Sequence, residues 1–400
     1  SNVDIKQNAM KTNIPERIAA LREAMKQQKV DAYIIPSSDP HLSEYPADRW
    51  KSREWISGFT GSAGTIVVTA DKAGLWTDSR YFLQAASQLE GSGIELYKLA
   101  LPETPSITEF LLHELHTGQA VGLDGQTYSA AEASALANKL SRKEIKLDTS
   151  ADLIEGIWKD RPAVPGNPIF EMPEALSGAS VHEKLDLINN QLRSEGADCL
   201  ILAALDEIAW TFNIRGTDVT YNPVVVSYAF VSEDESVLFI KPEKLTAEIT
   251  EHLKKEGVTL AEYSMIQRYL SRLPENSRVF VDMNKTNVSL YDAIPGSCTI
   301  VEGISPANHL KSIKNETEIK GFQNAVVKDG VALTKFYIWL EKQMAEGAQV
   351  TEISAAEKLT ALRAEQPQYI MDSFGTICGY AEHGAIVHYS ATTETDATLK

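Results

Sequence analysis

The sequence has few cysteines and no long apolar run. Its 400 residues include three cysteines, Cys199, Cys298 and Cys378, which lie far apart in apolar or loop surroundings. Such usage argues against a disulfide framework or a CxxC metal site and favours buried thiols in a reducing compartment. No apolar stretch approaches the roughly 18 residues of a membrane span, and the first residues lack the apolar core of a signal peptide. We therefore expect a cytoplasmic protein with no membrane partner.

Positive charge is also scarce. The chain carries 38 Lys and Arg residues against 55 Asp and Glu, a formal net charge of −17, and it has no run rich in Lys or Arg. Such a surface repels a phosphate backbone, so nucleic acid is not an expected partner. The 43% of apolar and 23% of charged residues are typical of a globular protein, and the length predicts two or three domains.

An internal repeat indicates how the chain is organised. Residues 17–35 and 184–202 superpose without a gap at an offset of 167. Their shared apolar positions have the spacing of one helical face. These positions are Ile18, Leu21 and Met25 in the first copy and Leu185, Ile188 and Leu192 in the second. Each copy continues with a polar turn, an aspartate (Asp31 or Asp198) and a short buried-strand pattern. We predict two successive domains that open with the same helix-to-strand unit.

The remaining patterns place these domains in the α/β class. Antiparallel hairpins are predicted at "GTIVVTADKAGLWTD" and "NPVVVSYAFVSEDESVLFI", where apolar runs enclose polar turns, and the proline-rich stretch 157–180 is a predicted linker. Asn315 is expected to cap a helix that reaches about Met344, and Thr351 to cap another. The stretches "YIMDSFGTICGY" and "GAIVHYSA" are predicted strands. This third segment resembles the front part of a domain.

Two short motifs resemble binding signatures without meeting them. The stretch "GFTGSAGT" holds Gly58, Gly61 and Gly64 but has neither GxGxxG nor P-loop spacing, so a tight turn between strands is expected. "HELH" places His113 and His116 three residues apart, whereas the HExxH zinc signature needs four. A solvated helix face is the expected structure.

Several polar residues have structural interpretations. His41, in "SDPHLSEY", is expected to form local hydrogen bonds in a polar loop. The neighbouring acids Asp206 and Glu207 suggest acid/base work, but Asp206 is better placed as a helix N-cap. Arg215 and Asp218 are expected to form a loop ion pair.

Arg80 and His388 are harder to interpret. Asp78 or Ser79 can cap a helix at "LWTDSRYFLQAA", which leaves Arg80 in its first turn, where the helix dipole disfavours a cation. A cation tolerated there can point outward to an anion or carbonyl, and an exposed residue without a role fits equally. His388 lies in "AIVHY", where a satisfied core histidine on a strand is the first interpretation.

Seven segments of the sequence resemble those of a known family. "AYIIPSSDPHLSEY", "SGFTGSAGT", "LWTDSRYFLQAA", "IWKDRP", "LDEIAWTFNIRGTDVTYNPV", "TEISAAEKL" and "GAIVHY" occur in the order and spacing of the three-domain Xaa-Pro aminopeptidases, also called aminopeptidase P. The resemblance runs from about residue 12 to 400. It implies two consecutive creatinase-like N-terminal α/β domains, at 1–158 and 177–305. The beginning of a pita-bread α+β catalytic domain, at 306–400, would follow them.

The resemblance implies a metallopeptidase that removes one N-terminal residue when proline follows it. In the family two divalent cations, usually manganese, are bridged by a hydroxide that attacks the scissile carbonyl, and carboxylate-rich ligands suit such hard ions. The family's ligands come after "GAIVHY", and neither Glu394 nor Asp396, the two carboxylates between that motif and Lys400, matches one of them. We therefore expect no metal bound to these 400 residues and no hydrolysis by them alone. The complete enzyme is expected to be a homodimer that binds peptides with proline in second position.

The resemblance also gives the two candidate residues roles. His388 matches the histidine that hydrogen-bonds substrate beside the metals, which reverses the core interpretation. Arg80 matches the arginine of the N-terminal domain that reaches the substrate-binding region. Both are expected to contact substrate.

Two other functions remain open. Some pita-bread relatives lack a metal site and bind basic partners such as histones, which the charge of −17 would suit. Creatinase uses the fold without metal, with a histidine as acid and base. The long motifs favour the aminopeptidase over both.

Overall fold

The computed structural model describes the backbone of residues 2–400 and the side chains of residues 13–400. The strands are β1 (Ala32–Ile35), β2 (Thr65–Thr69), β3 (Ala73–Thr77), β4 (Glu95–Lys98), β5 (Ala120–Leu123), β6 (Lys146–Asp148), β7 (Phe170–Glu171), β8 (Cys199–Leu202), β9 (Ile214–Arg215), β10 (Tyr228–Ser232), β11 (Ser236–Phe239), β12 (Val258–Ala261), β13 (Arg278–Val281) and β14 (Thr299–Glu302). The helices are α1 (Asn2–Gln28), α2 (Ser52–Ser57), α3 (Phe82–Gln88), α4 (Ile107–Glu114), α5 (Ala130–Ser141), α6 (Glu174–Ser177), α7 (Val181–Ser194), α8 (Leu205–Phe212), α9 (Ala247–Lys255), α10 (Ile266–Ser271), α11 (Val288–Ala293), α12 (Pro306–Ser312), α13 (Glu316–Ala345) and α14 (Glu352–Ala364). Among the helices of the described residues, none pairs the length of a bilayer crossing with the necessary apolar character.

The first repeat folds around a six-stranded sheet with the order β4-β3-β2-β1-β5-β6. Strand β1 pairs antiparallel with β2 and parallel with β5, so it lies at the centre of the sheet. Its side chains alternate between two cores. Tyr33 and Ile35 pack with residues of α1 on one face, whereas Ala32 and Ile34 pack with Trp76 on the other. Burial on both faces explains why β1 is apolar at successive positions.

The second repeat has the same sheet, with the order β12-β11-β10-β8-β13-β14, which confirms the predicted repeat. The predicted hairpins are β2–β3 and β10–β11. The aspartate of each copy has one role: Asp31 Oδ2 accepts from the Ala120 amide at 2.9 Å, and Asp198 Oδ2 accepts from the Arg278 amide at 2.8 Å. Each carboxylate therefore joins the start of the central strand to the start of the parallel strand beside it.

The two repeats meet through equivalent residues. Strands β5 and β13 correspond, because each pairs in parallel with the first strand of its repeat, and the segments after them correspond as well. The Ala130 amide donates to the Thr286 carbonyl, and the Val288 amide donates to the Tyr128 carbonyl, each at 2.9 Å. Exchanging the repeats exchanges these two hydrogen bonds. The repeats therefore pair as two copies of one subunit do across a two-fold axis.

His41 lies buried at this junction, with 2% of its surface exposed. Its Nδ1 lies 2.9 Å from the Ala203 carbonyl oxygen and its Nε2 lies 2.7 Å from the Tyr263 hydroxyl. Since a carbonyl only accepts, Nδ1 carries the proton and Nε2 accepts from Tyr263. The expected local loop contacts are therefore wrong for the ring, whose partners belong to the second repeat. Burial lowers the pKa of His41.

The chain divides into two compact units. Met172–Ser180, Val219–Pro223 and Ile313–Lys400 form the second unit, and the rest of the described chain, including both six-stranded sheets, forms the first. Within the second unit, Asn315 caps α13 in a capping box with Glu318, and Thr351 caps α14 in a capping box with Ser354. Both predicted caps are confirmed, and α13 ends at Ala345, one residue beyond the prediction.

The two strands predicted after α14 are wrong. Residues 369–380 and 384–391 form turns, a short 3₁₀ helix and irregular backbone. A strand needs a neighbour that satisfies its amides and carbonyls, and the described residues after β14 include no further strand. His388 accordingly lies exposed in a turn, with φ 55°, so the interpretation as a core histidine on a strand is wrong.

Candidate functional site

Arg80 lies just beyond the end of β3, in the first unit. Asp78 caps the 3₁₀ turn Ser79–Tyr81 that leads into α3, and its Oδ1 accepts from the Arg80 amide at 3.1 Å. The same carboxylate binds the Arg80 guanidinium in a fork, with Nε to Oδ1 at 2.8 Å and Nη2 to Oδ2 at 2.9 Å. This hydrogen bonding raises the pKa of Arg80 and lowers the pKa of Asp78. The carboxylate thus offsets the unfavourable dipole and holds the cation at the surface.

The glycine-rich loop supports the neighbourhood of Arg80. It joins α2 to β2, so the expected turn between two strands is wrong, although the loop serves close packing as its glycines suggest. A Cβ on Gly61 would lie 2.3 Å from the Phe59 ring and 2.8 Å from the Tyr81 ring. The Ser62 and Tyr81 hydroxyls are 2.5 Å apart, and the Arg80 guanidinium lies 5.1 Å from the Tyr81 ring centre. The loop therefore fixes Tyr81, which lies beside Arg80.

His388 belongs to the second unit and follows the 3₁₀ helix Ala381–Ala385. The next side chain, Tyr389, is buried, and its hydroxyl donates to Glu352 Oε1 at 2.7 Å. His383 stacks on the Tyr389 ring at 4.6 Å and places Nδ1 3.0 Å from Glu352 Oε2. Residues on both sides of His388 are therefore bound to one carboxylate.

Glu352 is that carboxylate, and it is fully buried at the first position of α14. Burial by itself would raise its pKa, but hydrogen bonds from the Tyr380 amide, the Tyr389 hydroxyl, the Ala397 amide and His383 outweigh burial and lower the pKa to about 2. The amides of Tyr380 and Ala397 lie 2.7 and 2.9 Å from its oxygens. Glu352 is therefore ionised at every physiological pH. The sequence marks it only as the residue after a helix cap.

A cavity of about 350 Å³ lies in the second unit beside this carboxylate. Glu352, Glu357 and Asp372 line it together with Ser390, two residues beyond His388, and no Lys, Arg or His is among its lining residues. Its acidic wall favours a ligand that presents hydrogen-bond donors or positive charge. Cys378 also lines it, and burial raises the pKa of that thiol, which makes a thiolate nucleophile unfavourable there.

Other polar residues singled out from the sequence have structural partners. His113 lies on the exposed side of α4, as predicted for a solvated helix face, whereas His116 is exposed beyond the end of the helix, so the predicted helix face is wrong for His116. The expected cap by Asp206 is wrong, because α8 begins one residue earlier, and Asp206 instead lies 3.2 Å from Lys311. Burial raises the pKa of its neighbour Glu207 to about 7.

The expected loop ion pair involving Asp218 has a different cation. Asp218 binds Lys244, and both side chains are almost completely buried. The Arg215 Nη1 donates to the Ala209 carbonyl at 2.8 Å. Tertiary structure therefore supplies a partner that loop proximity does not reveal.

The repeat of two similar domains agrees with comparisons to known families. Two family models, both described as creatinase/prolidase N-terminal domain, match residues 17–157 and 160–318, which together make up about three quarters of the chain. The chain therefore belongs to the creatinase/prolidase family. The mixed α/β fold contains two creatinase-like N-terminal domains and a pita-bread-type fold that matches an X-prolyl aminopeptidase, which confirms the predicted fold class.

Within that family, the chain is similar to Xaa-Pro aminopeptidases. It is 38% identical to the probable Xaa-Pro aminopeptidase P of Coprinopsis cinerea, over 96% of this chain and 64% of that protein. It is 36% identical to aminopeptidase P2 of Arabidopsis thaliana, over 98% of this chain and 60% of the relative. The chain thus spans about three fifths of the length of the curated relatives that it matches.

A solved structure gives the same result. The X-prolyl aminopeptidase of Caenorhabditis elegans, described as a cytosolic enzyme with a di-nuclear active site, superposes with a TM-score of 0.89 at 30% identity. The match covers 96% of this chain and 65% of that one. Metals of such a site need several oxygen and nitrogen ligands held together. Within the described residues, no group of three or more His, Cys, Asp or Glu side chains could hold a metal, so these residues do not fit a di-nuclear centre.

Proposed function

We propose that the protein is an Xaa-Pro aminopeptidase, and that these residues form its two N-terminal domains (1–158 and 177–305) and the beginning of its catalytic domain (306–400). The similarity to the Caenorhabditis elegans enzyme over 96% of the chain carries this proposal. The substrate is a peptide with proline in second position. An Xaa-Pro bond lacks an N–H, and its cis and trans forms differ by only about 0.5–1 kcal/mol, so the protein must select one isomer by contacts with the ring and the flanking groups.

Arg80 is proposed to bind the substrate. Its side chain is 40% exposed and its guanidinium is already oriented by the fork with Asp78, so binding an acceptor orders few further rotamers. Arginine presents donors in a planar arrangement that matches a carboxylate or a pair of carbonyls. The natural acceptor is a carbonyl or the terminal carboxylate of the peptide.

His388 is also proposed to bind the substrate. The ring is exposed, and the segment that carries it is fixed on both sides by Glu352. A neutral imidazole can donate one hydrogen bond and accept another, which suits a peptide amide or carbonyl next to the scissile bond.

Hydrolysis is proposed to need two divalent ions, with manganese as the favoured metal. The two ions would activate water and polarise the scissile carbonyl. Because the described residues do not fit such a centre, residues 1–400 alone are proposed not to hydrolyse peptides. A cytoplasmic homodimer remains part of the proposal.

Release of arginine from an Arg-Pro-Pro peptide tests this division of roles. The purified chain, assayed with and without added Mn²⁺, should show no release above the uncatalysed rate. Manganese-dependent release by this chain would contradict the proposal, because it would place a working metal centre among residues that show none.

The charge of −17, together with the lack of a metal-binding group in the described residues, favours a second candidate, the binding of a basic protein. Titration with histones at physiological salt distinguishes it. Saturable binding that resists screening would support this alternative, whereas loss of binding at that ionic strength would leave the aminopeptidase proposal.

A further inference from the structure

We propose that Glu352 is a positioning residue: it fixes the conformation of the segment from Tyr380 to Ala397 and thereby the placement of His388. The assignment of His388 to substrate rests on the proposed function. The restraint of its segment by Glu352 does not.

The first argument is the number of contacts that meet on one side chain. Oε1 accepts from the Tyr389 hydroxyl and the Ala397 amide, and Oε2 accepts from the Tyr380 amide and faces His383 Nδ1 at 3.0 Å. Four groups from the stretch between Tyr380 and Ala397 converge on a single side chain. Only an ionised carboxylate has enough acceptor positions for all four.

The second argument is the rigid support of the carboxylate itself. Glu352 opens α14, where the capping box of Thr351 fixes the helix start and the helix dipole favours an anion. The Glu352 amide donates to the Ala397 carbonyl at 2.9 Å, so backbone and side chain hold the same residue. The helix packs against α13, and its residues Ala355, Leu359 and Leu362 are buried. The anchor is therefore part of a packed helix pair.

The third argument is the lack of regular structure in the segment that it binds. Residues 380–397 contain no strand and only one short 3₁₀ helix, so few backbone hydrogen bonds hold them. His388 has φ 55° in a turn, a conformation that costs a non-glycine residue energy and persists only when neighbours impose it. The next residue, Tyr389, and His383, five residues earlier, are both bound to Glu352.

Hydrogen exchange on the 400-residue chain tests the restraint. Glu352→Gln keeps the shape but loses the charge and part of the acceptor capacity, so amides of residues 380–397 should exchange at least about tenfold faster. Amides of α13 should keep their wild-type rates. Glu352→Asp, which retains the charge, should partly restore protection, and Glu341→Gln, on the exposed surface of α13, should change neither region.

The ring resonances of His388, assigned by their loss in His388→Asn, report on its placement. They should shift in Glu352→Gln and return toward the wild-type positions in Glu352→Asp. If Glu352→Gln does not fold, Tyr389→Phe removes one donor alone and should produce a smaller change confined to the same segment. Unchanged exchange and unchanged His388 resonances, or acceleration spread evenly over α13, would overturn the proposal.

Addition of an Arg-Pro-Pro peptide separates this proposal from the proposed function. If the peptide leaves the His388 resonances of the wild-type chain unmoved while Glu352→Gln still loosens the segment, His388 has no substrate role and the positioning by Glu352 stands. If the peptide shifts the His388 resonances of the wild-type chain and Glu352→Gln binds the peptide tenfold more weakly, both the positioning by Glu352 and the substrate role of His388 are supported.

Discussion

The buried ion pair between Lys244 and Asp218 allows a quantitative prediction about stability. Both side chains are almost completely excluded from solvent, at 0% and 1% exposure. Asp218 Oδ2 also accepts from the Val226 amide at 2.8 Å, whereas Oδ1 has no hydrogen-bond partner in the described structure. Removing the lysine therefore leaves a buried carboxylate with a single amide to stabilise it.

Lys244→Met should destabilise the first unit by about 3–5 kcal/mol, the usual cost of an uncompensated buried charge. At roughly 2 °C per kcal/mol for a unit of this size, the melting temperature should fall by about 6–10 °C in scanning calorimetry. Lys244→Met combined with Asp218→Asn should recover most of the loss, because the asparagine still accepts from Val226 without carrying a charge.

The exposed pair of Lys51 and Asp48 supplies the control. Their side chains are 45% and 78% exposed at a separation of 3.0 Å, so Lys51→Met should change stability by less than about 1 kcal/mol. The reasoning is refuted if the double variant at 244 and 218 is as unstable as Lys244→Met, since the cost would then come from lost packing of the lysine.

Three further predictions concern the first unit. Burial raises the pKa of Glu207 from 4.5 to about 7. The folded state therefore retains a proton that the unfolded state loses, and the stability of the protein falls as pH rises through that window. In urea unfolding, Glu207→Gln should be more stable than wild type at pH 8 by on the order of 3 kcal/mol and similar to it near pH 4. Burial lowers the pKa of His41 below 6.5, so the wild type should lose stability as pH falls below that value. His41→Gln should weaken this dependence of stability on pH. An equal dependence in both proteins would contradict the assignment of a neutral ring. Asn287 caps α11 and donates to the buried Pro40 carbonyl at 2.8 Å. Asn287→Ala should therefore cost roughly 2–4 kcal/mol of stability, whereas Ser129→Ala, at the equivalent cap of α5, should cost roughly 0.5–2 kcal/mol. Equal losses would show that the Pro40 contact contributes nothing.

Many elements of both units are predictable because their signals are local. The helical face of Ile18 and Leu21, the hairpins and the capping residues Asn315 and Thr351 depend on spacing of a few residues. The repeat itself extends further than the sequence shows, since the aspartate contacts and the paired amides between repeats follow the same correspondence. Local periodicity predicts elements, and a repeat of elements predicts a repeated sheet.

The junction of the repeats and the candidate site are less predictable because their contacts join residues that are distant in sequence. The sequence places His41 in a polar loop, yet its ring forms hydrogen bonds with Ala203 and Tyr263, which lie far along the chain. Glu352 reads as an ordinary first-turn acid, yet it collects donors from residues 380–397. The stretch around His388 has the apolar pattern of a strand, but pattern alone cannot supply the neighbouring strand that pairing requires.

The most direct test of the proposed function is release of arginine from Arg-Pro-Pro by a fusion in which the C-terminal part of the Caenorhabditis elegans enzyme follows Lys400. With Mn²⁺ we predict release that requires proline in second position, no comparable release from Arg-Ala-Pro, and a lower kcat/KM in the Arg80→Ala and His388→Asn forms. A folded fusion that binds manganese but cleaves both peptides equally, or that is unaffected by both substitutions, would contradict the account.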